Sequence, residues 1–520
     1  MQTAVILSDL AALAAAHGGD LLVLALALPA LALLPAFALG GRWAGRIALL
    51  TLPLGLGVAV AIAAAVQHGG VPIAYHLGGW APPLGVALRA DGLSATLLLT
   101  TAVVLCAVGL FARADFKVPA GSRETRSPLV FWTLLLGVWT GLNGVFLGQD
   151  LFSLYVALEL VSFSAVPLVC LSGRPETLAA ALRYLLFALF GAVLFVLAAA
   201  LFYGTYGTLD IGLLARHLAG ADPVPPAVLA AAVLMTLGLL AKTALFPLQV
   251  WLPPAHAGAP AAGSAVLSAL VVKASFFVIL RLWFDCLPAG VTQPAAPVLA
   301  GLGVAAILFG GVQALRQVRL KMLVAYSTVA QIGYLFLVFP LALGAAALPA
   351  GGAAQAAGAL TGGMLQLVSH ALAKAAMFMA AGLIAVALGH DRIRELGGSA
   401  RALPLTVFAF ALAGLSLAGL QPSGGYVAKT LLTAAADATG QWWSAFALQV
   451  GGVLTGAYLL WVLFNALVGF RAPPTLLKRP RRYQELAVLA LALGALVLGL
   501  VPASSFELVT VGRGGLVGFP

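Results

Sequence analysis

Six titratable side chains lie in stretches where almost nothing else carries a charge. Lys242 follows AVLAAAVLMTLGLLA, Lys273 sits within AAGSAVLSALVVKASFFVILRLWF, His370 and Lys374 share LVSHALAKAAMF, Lys429 closes GLQPSGGYVAK, and Glu159 lies inside DLFSLYVALELVSFSAVPLV. An amine deprived of water gives up its proton readily, and a carboxylate brought beside it restores the ammonium form. Such a lysine is a poor permanent glue and a good proton carrier. The competing reading is a set of static ion pairs gluing helices, Glu159 with Lys242 first among them. On insertion scales an intramembrane charge costs about 2.5–3.5 kcal/mol, so each of these groups needs a partner or a hydrated path. His370 stands four residues before Lys374, which places both on one helix face. The chemistry suggested is proton transfer through apolar surroundings.

The surroundings set the elements. Of 520 residues, 62% are hydrophobic and 8% charged, the composition of a membrane protein. A hydrocarbon core of about 30 Å needs about 20 apolar residues per helical crossing, and strand alternation is absent, which argues against a barrel. The apolar runs predict an all-α polytopic membrane protein, a single transmembrane domain over 1–520 with about fourteen transmembrane helices. The spans lie near 21–39, 43–67, 91–112, 128–147, 151–171, 178–203, 226–246, 261–284, 294–315, 322–343, 360–389, 404–436, 443–469 and 483–503. The cations test this division. Of 27 Lys and Arg, nineteen fall in odd-numbered connections, from Arg42 and Arg46 to Arg481 and Arg482; the even ones and the tail hold Arg89, Arg216, Arg281 and Arg513. By the positive-inside rule both termini face outside a bacterial-type cytoplasmic (inner) membrane. The net charge of +11 is then inner-leaflet anchoring, and no nucleic acid is needed as a partner. Four lysines remain inside spans: Lys242, Lys273, Lys374 and Lys429. Met1–Ala16 lacks a basic start and carries Asp9, so it reads as a short interfacial lead and not a signal sequence. Cys106, Cys170 and Cys286 have no disulfide or metal spacing, and no Gly-rich nucleotide fingerprint follows a strand. No cofactor and no metal are expected on this chain.

Two interruptions stand out. Pro247, followed by LQVWLPPAHAGAP, breaks the seventh span, and QPSGG breaks the twelfth, each beside a lysine. Breaks at membrane depth are tolerated where they line a hydrated cavity. Their spacing of five spans suggests two inverted five-helix repeats, 128–284 (spans four to eight) and 294–469 (spans nine to thirteen), with broken helices 7 and 12. Weaker candidates are His256, either a relay or a hydrogen-bonder of its loop, and Asp150, either a functional acid or the N-cap of DLFSLY. Tyr326, Ser327 and Gln331 either hydrate the path or bond helix to helix.

The segment AKTALFPLQVWLPPAHAGAPAAGSAVLSALVVKASFFVILRL, with LYVALELVS, RLKMLVAYSTVAQIGYL, LVSHALAKAAMF and GLQPSGGYVAKTLL, closely resembles the antiporter-like proton-translocating membrane subunits. That family is shared by respiratory complex I, membrane-bound hydrogenases and Mrp-type cation/proton antiporters. The likeness runs in order over roughly residues 90–470. It implies the fourteen-helix fold with inverted repeats. It also implies Glu159 and Lys242 as the regulated pair of a first half-channel, Lys273 as the link to the centre, His370 and Lys374 as the bridge, and Lys429 as the terminal carrier. Gln249 departs from the histidine that relatives commonly carry. The short C-terminal tail fits an Mrp D-like or complex I M/N-like subunit. The expected partners are other membrane subunits of a hetero-oligomeric complex, the lipid bilayer and protons, with Na+ or K+ as the exchanged ion in the Mrp branch. Redox chemistry is not expected in this chain: the resemblance implies a subunit of an NADH:quinone oxidoreductase-like, hydrogenase-like or Mrp cation/proton antiporter complex, driven by a partner's electron transfer or by an opposing ion gradient. The alternatives are a stand-alone secondary transporter of a small solute, an inert scaffold, and the membrane subunit of an inorganic-carbon uptake complex.

Overall fold

The computed structural model describes residues 18–118, 125–219, 223–348, 351–468 and 474–513, apart from the side chains at 503–505. The lead Met1–Ala16, together with His17, Arg123 and Arg471, lies outside the described residues. In chain order the structure runs α1 (Gly18–Leu39), α2 (Gly41–Gly69), a hairpin of β1 (Ile73–His76) and β2 (Ala87–Ala90), then α3 (Gly92–Ala112), α4 (Arg126–Leu147), α5 (Leu151–Val169) and α6 (Pro175–Tyr206). It continues with α7 (Ile211–Ala219), α8 (Pro226–Thr243), α9 (Leu252–Gly258), α10 (Ala261–Asp285), α11 (Ala289–Leu315), α12 (Leu320–Ala346) and α13 (Gly352–Leu388). The last helices are α14 (Pro404–Ala418), α15 (Gly424–Ala438), α16 (Trp442–Leu467) and α17 (Arg482–Val497).

Among the described residues twelve helices are long and apolar enough to cross a membrane. The predicted twelfth and fourteenth spans correspond to the shorter α14–α15 pair and to α17. Helices suit this sequence because a chain in lipid must satisfy every backbone group internally. Their ends are sealed locally: the carboxylates of Asp91 and Asp150 accept from the amides of Ser94 (3.1 Å) and Ser153 (2.9 Å), and the Ser423 hydroxyl accepts from Tyr426 (3.2 Å). Large apolar side chains such as Leu186, Val193 and Val453 face outward, the arrangement expected of a surface solvated by lipid tails. Polar and charged side chains within the helices, such as Ser268, Lys273, His370 and Lys374, are turned inward.

Two backbone links recur. Between the connections flanking α5 and α6, the Leu151 amide donates to the Leu209 carbonyl (3.0 Å) and the Ile211 amide to the Gln149 carbonyl (3.0 Å). Between the connections flanking α12 and α13, the Leu320 amide donates to the Asp391 carbonyl (2.7 Å) and the Ile393 amide to the Val318 carbonyl (2.9 Å). Close helix crossings recur as well. A Cβ on Gly191 would lie 2.5 Å from the Gly238 carbonyl, joining α6 to α8, and one on Gly303 would lie 2.7 Å from the Gly333 carbonyl, joining α11 to α12. Glycine is what allows backbones to approach so closely.

Two sequence expectations need correction. The β1–β2 hairpin is a sheet of four-residue strands, too short to leave an alternation signal. Arg281 is not a loop cation: it lies inside α10, buried against Asp91, which accepts from its guanidinium, and Asp285 (2.9 Å). Arg513 completes the cluster on Asp285 at 2.8 Å. Burial alone would raise the pKa of Asp91, but Arg281, Arg513 and the Ser94 amide outweigh it and hold this carboxyl below its ordinary range.

Candidate functional site

The seventh span ends where Ala244 adopts a left-handed φ of 59° and α8 stops at Thr243. Lys242 is therefore in a last turn, with its side chain directed at α5. Its Nζ lies 2.5 Å from Glu159 Oε1 and donates to Ser162 Oγ at 3.1 Å. One of the carbonyls released by the break is not wasted, because Trp251 Nε1 donates to the Ala241 carbonyl at 2.9 Å. Beside the ion pair, a cavity of about 10 Å³ is lined by Ser162, Tyr184, Lys242 and Ser275, room for about one water. Thr243 Oγ1 and Ser275 Oγ, 2.8 Å apart, carry hydroxyls from α8 onto α10.

In α10 the helix widens into a π turn over Leu267–Val271. Lys273 Nζ donates to the Ser268 carbonyl at that turn, and Ser268 Oγ meets Thr328 Oγ1 of α12 at 2.9 Å. Lys374, on α13, donates to Ser327 Oγ and to the Val324 carbonyl (3.1 Å). His256 and His370 are buried, and neither ring has a hydrogen-bond partner on either nitrogen among the described residues. Both rings feel the charges of Lys273 and Lys374, and His256 that of Lys321 as well. The breaks and the π turn thus bring His256, Lys273, His370 and Lys374 into one central cluster. Its interior nitrogens are polar atoms that require a donor or acceptor.

The second half continues from α12. Gln366 Nε2 donates to Gln331 Oε1 (2.8 Å), Gln331 Nε2 donates to the Leu417 carbonyl (3.2 Å), and Ser369 and Ser416 share a hydroxyl contact of 2.7 Å. Leu417 and Ala418 are the last residues of α14, and Gly419 turns left-handed at φ 80°. Their carbonyls accept from Lys429 Nζ at 3.4 and 2.9 Å, and Lys429 also stands 4.7 Å above the Tyr334 ring. Lys429 is thus held by the negative end of a half-helix and by a ring face.

The candidates fare differently. Glu159, Lys242, Lys273, His256, His370 and Lys374 are buried, and Lys429 is half-buried. Asp150 takes the N-cap position of α5, and among the described residues no hydrogen bond or ion pair links it to the lysines. Ser327 bonds Lys374 and Gln331 bonds Gln366, whereas Tyr326 is half-buried against Phe309. Gln249 is buried. Sequence reasoning missed Ser162, Ser275, Thr328, Gln366, Ser369 and Ser416. One signal was readable: Gln366, His370 and Lys374 are spaced four apart along a single helix. Lys321, counted as a loop cation, sends its Nζ to the Ala259 carbonyl at 2.6 Å, under the central cluster.

Residues 148–455 match the family model described as NADH:quinone oxidoreductase/Mrp antiporter, TM. The chain belongs to this family. It is 35% identical over 447 residues to the N-type subunit of the NADH-quinone oxidoreductase of Desulforudis audaxviator, covering 83% of this chain and 85% of that protein. It is 27% identical to the D-type subunit of the Na+/H+ antiporter of Bacillus subtilis, over 76% of each chain. A chain in the structure of the Mrp complex from Dietzia sp. DQ12-45-1b superposes with a TM-score of 0.83 at 26% identity, over 96% of this chain and 98% of that one. The protein is an antiporter-like, multi-pass subunit of a multi-subunit membrane complex. The stand-alone solute-transporter alternative gives way to that assignment.

Proposed function

We propose that this antiporter-like subunit moves protons across the cytoplasmic membrane along the buried axis, and that the Glu159–Lys242 pair gates the first half of it. The observation that carries the reading is the 2.5 Å contact between Lys242 Nζ and Glu159 Oε1 inside the protein, at the end of a helix that stops there. With Glu159 close, the ammonium form of Lys242 is favoured; with Glu159 displaced, the proton is released toward Ser275 and the central cluster. Lys273 links to the centre, His256, His370 and Lys374 bridge the halves, and Lys429 is the terminal carrier. The driving energy comes from partner subunits, through electron transfer or an opposing cation gradient. The inverted repeats, 128–284 and 294–469, are supported by the matching pairs of backbone links and by the breaks beside Lys242 and Lys429. Cation-rich odd connections support both termini lying outside.

The test is Lys242→Ala in the assembled complex, reconstituted into proteoliposomes. Coupled proton translocation should disappear while assembly persists. Full pumping by an assembled variant would refute the role.

A further inference from the structure

A cavity of about 540 Å³ opens where α1 meets α2, α3 ends and α4 and α17 begin. Five cations line it: Arg42, Arg46, Arg113, Lys117 and Arg481. Among the described residues none of its lining groups is acidic, and no carboxylate forms an ion pair with any of the five. The first turn of α2 adds a helix N-terminus with no acidic residue and no side-chain cap, a further positive end. The inner wall is aromatic, Trp132 and Tyr483. Alongside, Leu39 (60% exposed), Trp43 (52%) and Leu50 (68%) form an apolar outer face, and the Arg46 guanidinium lies 5.0 Å from the Trp43 ring.

We infer that this cavity binds the headgroup of an anionic phospholipid, with its acyl chains along the apolar face of α1 and α2. Five cations gathered at span ends, with no salt bridge to a carboxylate among the described residues and with only Asp115 acting on one of them, Arg481, cost self-repulsion that a phosphate diester relieves, and basic recesses between membrane helices have this chemistry. The number of cations favours a headgroup with two phosphates over one with a single phosphate. A free phosphate would satisfy the cations, yet it has no use for the apolar wall beside them. The proposal is independent of the proton path, and its failure leaves that reading untouched.

The assembled complex, stripped of lipid and offered cardiolipin or phosphatidylcholine of matched chains, is read by native mass spectrometry. Cardiolipin should be retained preferentially, and inorganic phosphate should displace it poorly. A combined Arg42→Gln, Arg46→Gln, Arg113→Gln variant should lose retention by at least about tenfold, since three of the five cations facing the anionic headgroup are removed. Arg392→Gln with Arg394→Gln, at another connection, should retain it. If the triple variant does not assemble, the wild-type protein alone decides: quenching of tryptophan fluorescence by brominated cardiolipin must weaken as salt rises. Equal retention of phosphatidylcholine, ready displacement by inorganic phosphate, unchanged retention in the triple variant, or salt-insensitive quenching would each overturn the proposal.

Discussion

Lys242 and Lys429 occupy comparable places beside a helix break, yet one rests on a carboxylate and the other on carbonyls and a ring face. A carboxylate can be moved, so in the proposed gate the state of Lys242 answers to the position of Glu159. The carbonyls of Leu417 and Ala418 are fixed by the end of α14, so on the proposed path Lys429 would answer to whatever proton reaches it. Lys429→Gln keeps a donor for those carbonyls and removes the titrating amine. We expect coupled proton flux in proteoliposomes to be lost, with Tm in detergent changed by only a few degrees, because a neutral hydrogen bond is worth about 0.5–1.5 kcal/mol. A variant that pumps normally would remove Lys429 from the path. These lysines were legible in sequence because a charge inside an apolar run is costly and rare. Their neutral partners were not, since Ser162, Thr328 and Ser416 look like ordinary helix–helix polar contacts until the folded chain gathers them.

Helix α8 carries Lys242 to its partner only because α6 lets it approach. Gly238→Ala would place a methyl 2.5 Å from the Gly191 carbonyl and 3.1 Å from Leu194 Cβ. Backbone cannot yield as a flexible side chain does, so the crossing must open, at a cost of about 1–3 kcal/mol. A fall in Tm of the assembled complex together with weaker coupling would match this, and an unchanged Tm would contradict it. The helices were readable from the length of apolar runs, and the breaks from Pro247 and QPSGG. The π turn at LSALV has no composition of its own. The hairpin escaped because four-residue strands cannot establish a period. Arg281 was misplaced because, four residues from the end of α10, a long cation looks like one reaching for water, and only the structure reveals Asp91 and Asp285 waiting for it.

Across the whole molecule, Asp91, Arg281, Asp285 and Arg513 tie the start of α3, the end of α10 and the C-terminal segment together. The lowered pKa of Asp91 fixes the sign of its pH dependence: its stabilisation is fully present above the ordinary carboxylate value of 3.8 and is lost as pH falls through the lower folded value. Asp91→Asn keeps a capping group and removes the charge. It should cost about 3 kcal/mol, since one partner of a buried pair is lost while Asp285 remains. The Tm gap between wild type and variant should stay constant at neutral and mildly acidic pH and narrow only below about 3.8. A gap that changes between neutral and mildly acidic pH would show that another group governs it.

The central and distal amines differ from the gate in one more respect. Lys273, Lys374 and Lys429 lean on carbonyls, a hydroxyl and a ring, with no carboxylate hydrogen-bonded to any of them among the described residues. Simultaneous protonation of Lys273 and Lys374 would set two like charges against each other where little screens them. On the proposed proton path, occupancy of these two amines would therefore be rationed: a newcomer at one makes tenancy at the other untenable, and the cargo advances by eviction.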